Sequence, residues 1–412
     1  MKRAPLYTEV SSMEPMIPRD DPAGWPVLSQ LSVEIHRRAG AIQEALPSPS
    51  TRRELARLVG SMNSYYSNLI EGHKTLPKDI ERALKEGERG GPDERRNQRM
   101  SAALVRTEDA MRARLAEQPD TAVYSADFIR WLHREFYGHL PEEDRRVQLE
   151  SGGYHPVPLA PGVYRDFNVS VHRHDPPPPG ELERFMQRYE TAYDPARMIA
   201  ADRLIALAAA HHRLAWIHPF GDGNGRVARL QSQAALIHLG LDGDGLWTLS
   251  RGLARRQADY YRHLQNADAP RINDFDGRGA RSCRHLGEFC TFFLGVILDQ
   301  MDFMLGRIRP RALVDRIEVY VKVHHSALDA RMQERLIRLF RCLCLEPADV
   351  PRGRIAEVLN VSATTATAVI KTAETLGLVT SDSPKTPLRL RFPAEVAEFY
   401  FPGLYSDLPV AS

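Results

Sequence analysis

The chain is poor in cysteine, in net charge and in long apolar runs. Its 412 residues include four cysteines, Cys283, Cys290, Cys342 and Cys344. None makes the C-x-x-C spacing of a zinc site or redox centre, so buried thiols in a reducing compartment are expected. Lysine and arginine number 55 against 53 aspartate and glutamate, a formal charge of +2. That balance gives no electrostatic case for a protein that coats nucleic acid or an anionic membrane, and any such contact has to be local. The opening MKRAPLYTEV lacks the apolar h-region of a secretory signal. The charge-free apolar run 289–298 is closed by Glu288 and Asp299, short of the ~20 residues that span a bilayer. A soluble cytoplasmic protein without membrane contact is therefore the expectation. At 43% hydrophobic and 26% charged residues the composition is that of a globular protein, and the length suggests two or three domains.

Apolar residues at helical spacing predict helices over about 28–46, 50–72, 93–117, 125–140, 180–193, 195–216, 226–240, 252–265 and 285–308. Residues 1–27 read as an extended surface arm. Between two helices, 151–172 carries turn signals at Pro156, Pro158 and Pro161-Gly162 and the run Phe167-Asn168-Val169-Ser170-Val171, which reads as a short β-hairpin. After about Pro310 the pattern becomes three helices, 333–345, 352–359 and 362–376, then two strand-like stretches near 379–380 and 388–392. That is the outline of a winged helix-turn-helix. The fold class expected is mainly α, with a short hairpin and a small winged module at the end.

The densest chemistry lies at 211–229, where an apolar helix runs into His218-Pro219-Phe220-Gly221-Asp222-Gly223-Asn224-Gly225 and a second helix starts near Arg226. Gly221, Gly223 and Gly225 permit close backbone approach, so their N–H groups can form an anion nest at a helix start. Arg226 sits at the positive end of that helix and needs a compensating anion. Arg229, three residues on, shares its face, so both guanidiniums can fork onto phosphate oxygens. Asp222 can hold Mg²⁺ together with substrate oxygens. His218 can remove a proton from a hydroxyl attacking the phosphate. Base, metal ligand, nest and arginine pair point to nucleotide-dependent phosphoryl or nucleotidyl transfer. The loop has no G-x-x-x-x-G-K-[ST], and a calcium loop fails at Val227 and Gln233. His211 and His212 lack an H-E-x-x-H context and are expected to pack or meet solvent at a helix end.

The stretch His218 to Arg229 resembles the signature of the Fic family, whose members mostly transfer AMP from ATP to a hydroxyl side chain of a target protein. The resemblance covers roughly residues 50–310. It implies His218 as general base, Asp222 as Mg²⁺ ligand, Phe220 as buried anchor, Gly223, Asn224 and Gly225 around the phosphates, and Arg226 and Arg229 on the terminal phosphates. It also implies that the hairpin, with Gly162, Tyr164, Arg165 and Val169, is a flap that aligns the target by strand addition. Tyr260-Tyr261 with Leu264 and Ala267 is similar to the family's adenine wall, with Tyr261 as the ligand contact. The segment Ser67-Asn68-Leu69-Ile70-Glu71-Gly72 is similar to the family's inhibitory motif. In that reading Ser67 and Glu71 form a brake: the carboxylate meets Arg229 in place of the γ-phosphate. For some members the resemblance also implies removal of AMP, with the glutamate positioning water.

The expected organisation is a helical region 1–110 that includes the inhibitory helix (about 50–72), a Fic core 111–310 and a winged helix-turn-helix 311–412. The recognition helix of that last module carries only Lys371 as a cation, while Arg352, Arg354, Lys385, Arg389 and Arg391 flank it. DNA contact through 352–392 is one expectation. Docking of a protein, including a second copy as a homodimer, is the other. Two functions follow: a protein adenylyltransferase using ATP and Mg²⁺, and a transcriptional regulator whose Fic-like domain senses nucleotide. An intact His218 favours the first.

Overall fold

The computed structural model describes residues 7–147, 153–171, 174–383 and 385–405. The chain divides into two units: Met1–Arg37, Ser64–Leu241 and Leu249–Asp299 form one, and Arg38–Asn63, Asp242–Thr248 and Gln300–Ser412 the other.

Helices dominate, in the order α1 Gly24–Ala45, α2 Pro49–Ile70, α3 Pro77–Glu86, α4 Pro92–Glu117, α5 Ala126–Gly138, α6 Leu182–Tyr193, α7 Arg203–Ile217, α8 Asn224–His238, α9 Leu249–Arg255, α10 Gln257–Ala267, α11 Cys283–Ile308, α12 Pro310–His324, α13 Ala330–Leu345, α14 Ile355–Leu359, α15 Ala363–Thr375 and α16 Ala397–Tyr400. Two short strands, β1 Val379–Thr380 and β2 Arg389–Leu390, pair antiparallel.

In the first unit α7 is the central element. It is buried nearly all round, from Leu204 to Ile217, which explains its weak amphipathic signal: a helix wetted on no face shows no period. It packs against α6 and α8, and α8 packs on α4 and α5. Local chemistry sets the ends. Ser125 Oγ accepts the Phe128 amide at the start of α5, and Pro92 with the Glu94 carboxylate on the Gly91 amide starts α4. α2 stops before Gly72, whose φ of +82° only glycine adopts cheaply. The helix expected over 195–216 begins later, because Pro195–Arg197 and Ala200–Asp202 are 3₁₀ turns. The one expected over 252–265 is two helices, broken at Arg256 (φ −120°, ψ 36°).

The apolar run 289–298 belongs to α11, which by length and mean hydropathy is apolar enough to cross a membrane. Its Phe289, Phe293, Leu294 and Ile297 have 0% exposure in this fold, as in a core helix. All four cysteines are free thiols.

Part of the expected hairpin, 151–152 and 172, lies outside the described residues. The rest is an extended excursion tied to 145–147 by the His155 amide on Val147 O (2.8 Å) and the Leu159 amide on Arg145 O (2.8 Å). One bridge, Val171 to His174, is present.

In the second unit α13, α14 and α15 are followed by the β1–β2 ribbon, in the order expected. The break between α14 and α15 falls at Asn360, in left-handed conformation (φ 51°). Asp329 and Ser362 cap α13 and α15. Leu336, Phe340, Ile355, Val369, Leu390 and Phe392 form the core. Two cations expected to flank a DNA contact are engaged elsewhere. Arg352 pairs with Glu374, and Arg389 pairs with Asp382 and with Glu54 of α2.

Candidate active site

α7 ends where His218 takes a left-handed conformation (φ 51°) and Pro219 forbids a further helical hydrogen bond. The loop then turns through Gly223 (φ 80°) into α8. Phe220, 0% exposed, anchors it. The Asn224 side chain closes it, accepting the Phe220 amide at 2.9 Å and donating to Phe220 O at 2.8 Å. Asn224 was expected beside phosphate; it lines the cavity, but its amide group serves the loop. Of the three glycines only Gly223 needs positive φ. Gly225 is required by proximity instead, since a Cβ there would run into Glu71 Oε1.

A cavity of about 210 Å³ opens at this loop, lined among others by Glu71, His218, Asn224, Gly225, Arg229 and Tyr261. His218 Nδ1 lies 3.4 Å from Ala215 O, so this nitrogen carries the proton and Nε2 keeps its lone pair. Burial, reinforced by the nearby Arg165 guanidinium, pulls the pKa of His218 down to about 4. The ring is therefore neutral at pH 7 and competent as a base.

Arg229, 4% exposed, donates from Nε to Ser67 Oγ (2.8 Å) and from Nη2 to Ser67 O (3.0 Å) and Glu71 Oε1 (2.6 Å). The last turn of α2 thus delivers the serine, and the residue that follows the helix delivers the carboxylate. Ser64 fixes this end of α2 by donating to Ser101 O of α4. The anion anticipated for Arg226 is Asp222, 3.3 Å away. Burial opposes the charge on Arg226, but Tyr137, Asp222 and Glu71 raise its pKa. Burial likewise works to raise Asp222. Arg226 and the Tyr137 and Gly223 hydrogen bonds outweigh it and hold this carboxyl below its usual range.

Asp222 is ionised, and its side chain is 45% exposed. Its oxygens accept from Tyr137 Oη (2.7 Å) and the Gly223 amide (2.7 Å). The Gly223 amide, expected to face phosphate, is thus bonded within the loop. The amides of Asn224, Gly225 and Arg226 are the first of α8 and have no intrahelical acceptor. Among the described residues no group of three or more His, Cys, Asp or Glu is poised for a metal. A single carboxylate suits Mg²⁺, which takes its remaining ligands from substrate oxygens and water.

Tyr261 lines the cavity and donates to Ile70 O (2.9 Å). Tyr260 is buried, its hydroxyl 2.7 Å from His211 Nε2. His211 and His212 are interior rather than solvent-facing. His211 spans Ser232 and Tyr260, burial takes its pKa to about 3, and His212 reaches Leu264 O at 3.0 Å.

Three further residues shape the site. Tyr137 holds Asp222, and His133 bridges Asp222 O and Gly162. Arg165 donates to His218 O (2.9 Å), Phe167 O and Pro177 O. The first two carried no signal in the sequence: they are apolar-face positions of an ordinary amphipathic helix, and only the packing of α5 on the loop reveals them.

A neutral imidazole and an anion-seeking arginine thus share one cavity at the junction of two buried helices. Residues 123–236 match the family model described as Fic/DOC family. The chain thus carries a Fic/DOC-type segment over residues 123–236. It is 29% identical over 217 residues to a protein adenylyltransferase Fic of Nematostella vectensis, covering 51% of this chain and 44% of the relative. Against the protein of that name from Drosophila melanogaster the identity is 38% over 109 residues, 26% of this chain and 19% of the relative. The chain thus spans less than half of these relatives. Fic-1 of C. elegans shares the fold with a TM-score of 0.52 at 18% identity, over 70% of this chain and 73% of that one.

Proposed function

We propose that this protein is a Mg²⁺-dependent protein adenylyltransferase that moves AMP from ATP to a hydroxyl side chain of a target protein or of itself, and that Glu71 restrains it. One observation carries the reading: the unprotonated His218 and the phosphate-seeking Arg229 line the same cavity. The attacking hydroxyl gives its proton to His218 Nε2 as its oxygen bonds to the α-phosphorus. The bond from that phosphorus to the β-phosphate bridging oxygen breaks, and pyrophosphate leaves. Arg229 and Arg226 hold the terminal phosphates, the first amides of α8 face the same charge, and Tyr261 meets the base. Mg²⁺ on Asp222 would supply neutralising charge to the phosphates. Glu71 occupies the anion position on Arg229, which supports its role as a brake. Orientation of water by Glu71 for removal of AMP is a second activity of the same groups.

The intact mass of the purified protein after incubation with ATP and Mg²⁺, for the wild type, Glu71→Gly and His218→Ala, tests this. The increment of AMP is expected to be greatest for Glu71→Gly and absent for His218→Ala; equal incorporation by all three defeats the reading.

A nucleotide-sensing regulator is the second reading, favoured by the order α13–α14–α15–β1–β2, in which we read a winged helix-turn-helix over 311–412 that contacts DNA or a protein through 352–392. Salt-sensitive retention of duplex DNA by the full chain, together with ATP binding and no transfer, would favour it.

A further inference from the structure

We propose that His133 is a positioning residue that fastens the turn of the flap at Gly162 to α5, beside the catalytic loop, so that a protein hydroxyl rather than water receives the AMP group. The inference deepens the adenylyl-transfer reading and rests on it.

The Gly162 amide donates to His133 Nδ1 at 2.8 Å. A backbone N–H can only donate, so Nδ1 is the acceptor, and the proton of the neutral ring is on Nε2. That nitrogen lies 3.3 Å from Asp222 O, and a carbonyl can only accept. Both bonds therefore require one tautomer of an uncharged imidazole. The ring also stacks on Phe220, centroids 3.9 Å apart at 14°. One side chain thus touches the turn of the flap, the carbonyl that precedes Gly223, and the anchor of the loop.

Gly162 has φ +79°, and a Cβ there would sit 3.0 Å from Arg130 O and the Arg134 side chain. Its carbonyl accepts from Arg130 Nε at 3.1 Å. Arg130 and His133, three residues apart on α5, thus hold the amide and the carbonyl of the same turn. On the far side of the flap the Arg165 amide donates to Pro219 O at 3.0 Å. The flap is referenced to the loop that carries His218, and α5 sets one of its tie points. A target strand aligned on the flap is then aligned on the base. Water needs no such alignment.

The test uses the full chain with Glu71→Gly as parent. His133→Asn places an acceptor where Nδ1 stands and keeps the Gly162 bond. His133→Gln places its donor where Nε2 stands and gives up the Gly162 bond. With α-labelled ATP, the ratio of protein-linked to free AMP is expected to fall at least tenfold in His133→Gln and to stay within threefold of the parent in His133→Asn. Hydrogen exchange of the Gly162 amide should accelerate in His133→Gln alone. Equal ratios in the two variants, or unchanged Gly162 exchange in His133→Gln, would overturn the assignment. A parent that binds no nucleotide would instead sink the adenylyl-transfer reading, and the exchange measurement would still decide the role of His133.

Discussion

Glu71 Oε1 lies 2.6 Å from Arg229 Nη2, and the same guanidinium is held by the hydroxyl and the carbonyl of Ser67. One helix end thus closes on one arginine with three hydrogen bonds, only one of them to a charged partner.

That division predicts a graded release. Arg229 is a charged donor in all three bonds, and hydrogen bonds to charged groups contribute about 1.5–3 kcal/mol, most where the acceptor is charged as well. Self-labelling with α-labelled ATP should rise about tenfold in Ser67→Ala and by more than that in Glu71→Gln and Glu71→Gly. If all three variants label at the wild-type rate, the contact exerts no restraint.

Because the pKa of His218 is drawn down to about 4, the imidazole proposed as the base remains unprotonated far below neutrality. Initial rates of the Glu71→Gly variant should be level from pH 8 to pH 6 and decline only as pH approaches about 4. A half-maximal rate near pH 6.5 would mean that the ring is as easily protonated as a free histidine.

The buried imidazoles also govern acid stability. His133 and His211 have pKa values near 3 and His218 near 4, all depressed by burial. Between about pH 6.5 and 4 the unfolded chain binds protons that the folded one refuses, so stability rises with pH across that window and is complete above it. Each group contributes about 1.4 kcal/mol per pH unit there. The urea midpoint should be distinctly lower at pH 5 than at pH 7.5; equal midpoints would contradict neutral burial.

Arg389 joins Glu54 and Asp382 at positions where Arg389 and Glu54 are 14% and 8% exposed. Arg389→Ala leaves the Glu54 carboxylate with the more exposed Arg57 alone and should destabilise the chain by about 2 kcal/mol, read as a fall in Tm. An unchanged Tm would place this pair among surface contacts of no consequence.

Much of this was legible in the sequence because the signals were local. The His218–Arg229 run encodes a helix end, a tight turn and a helix start, and Ser67 with Glu71 carries the expected spacing at the end of α2. What stayed hidden depended on packing. α12 escaped notice because Val319 and Val323 are 60% and 62% exposed, which blurs the apolar period. α3 is only ten residues long, with Ile80 and Ala83 as its buried nonproline apolar contacts. Tyr137 and His133 act through a loop more than 80 residues away, and no periodicity reports such a partnership.

The absence of a side chain at Gly225 leaves one small volume beside Arg229, and the Glu71 carboxylate fills it. Two anions cannot share it. On the proposed function, a phosphate arriving there would contend with a rival that never diffuses away, so its apparent affinity would be set as much by how readily the end of α2 swings aside as by its own contacts. Whatever loosens that helix end would therefore sharpen the protein's response to nucleotide without altering a single group that touches the phosphate.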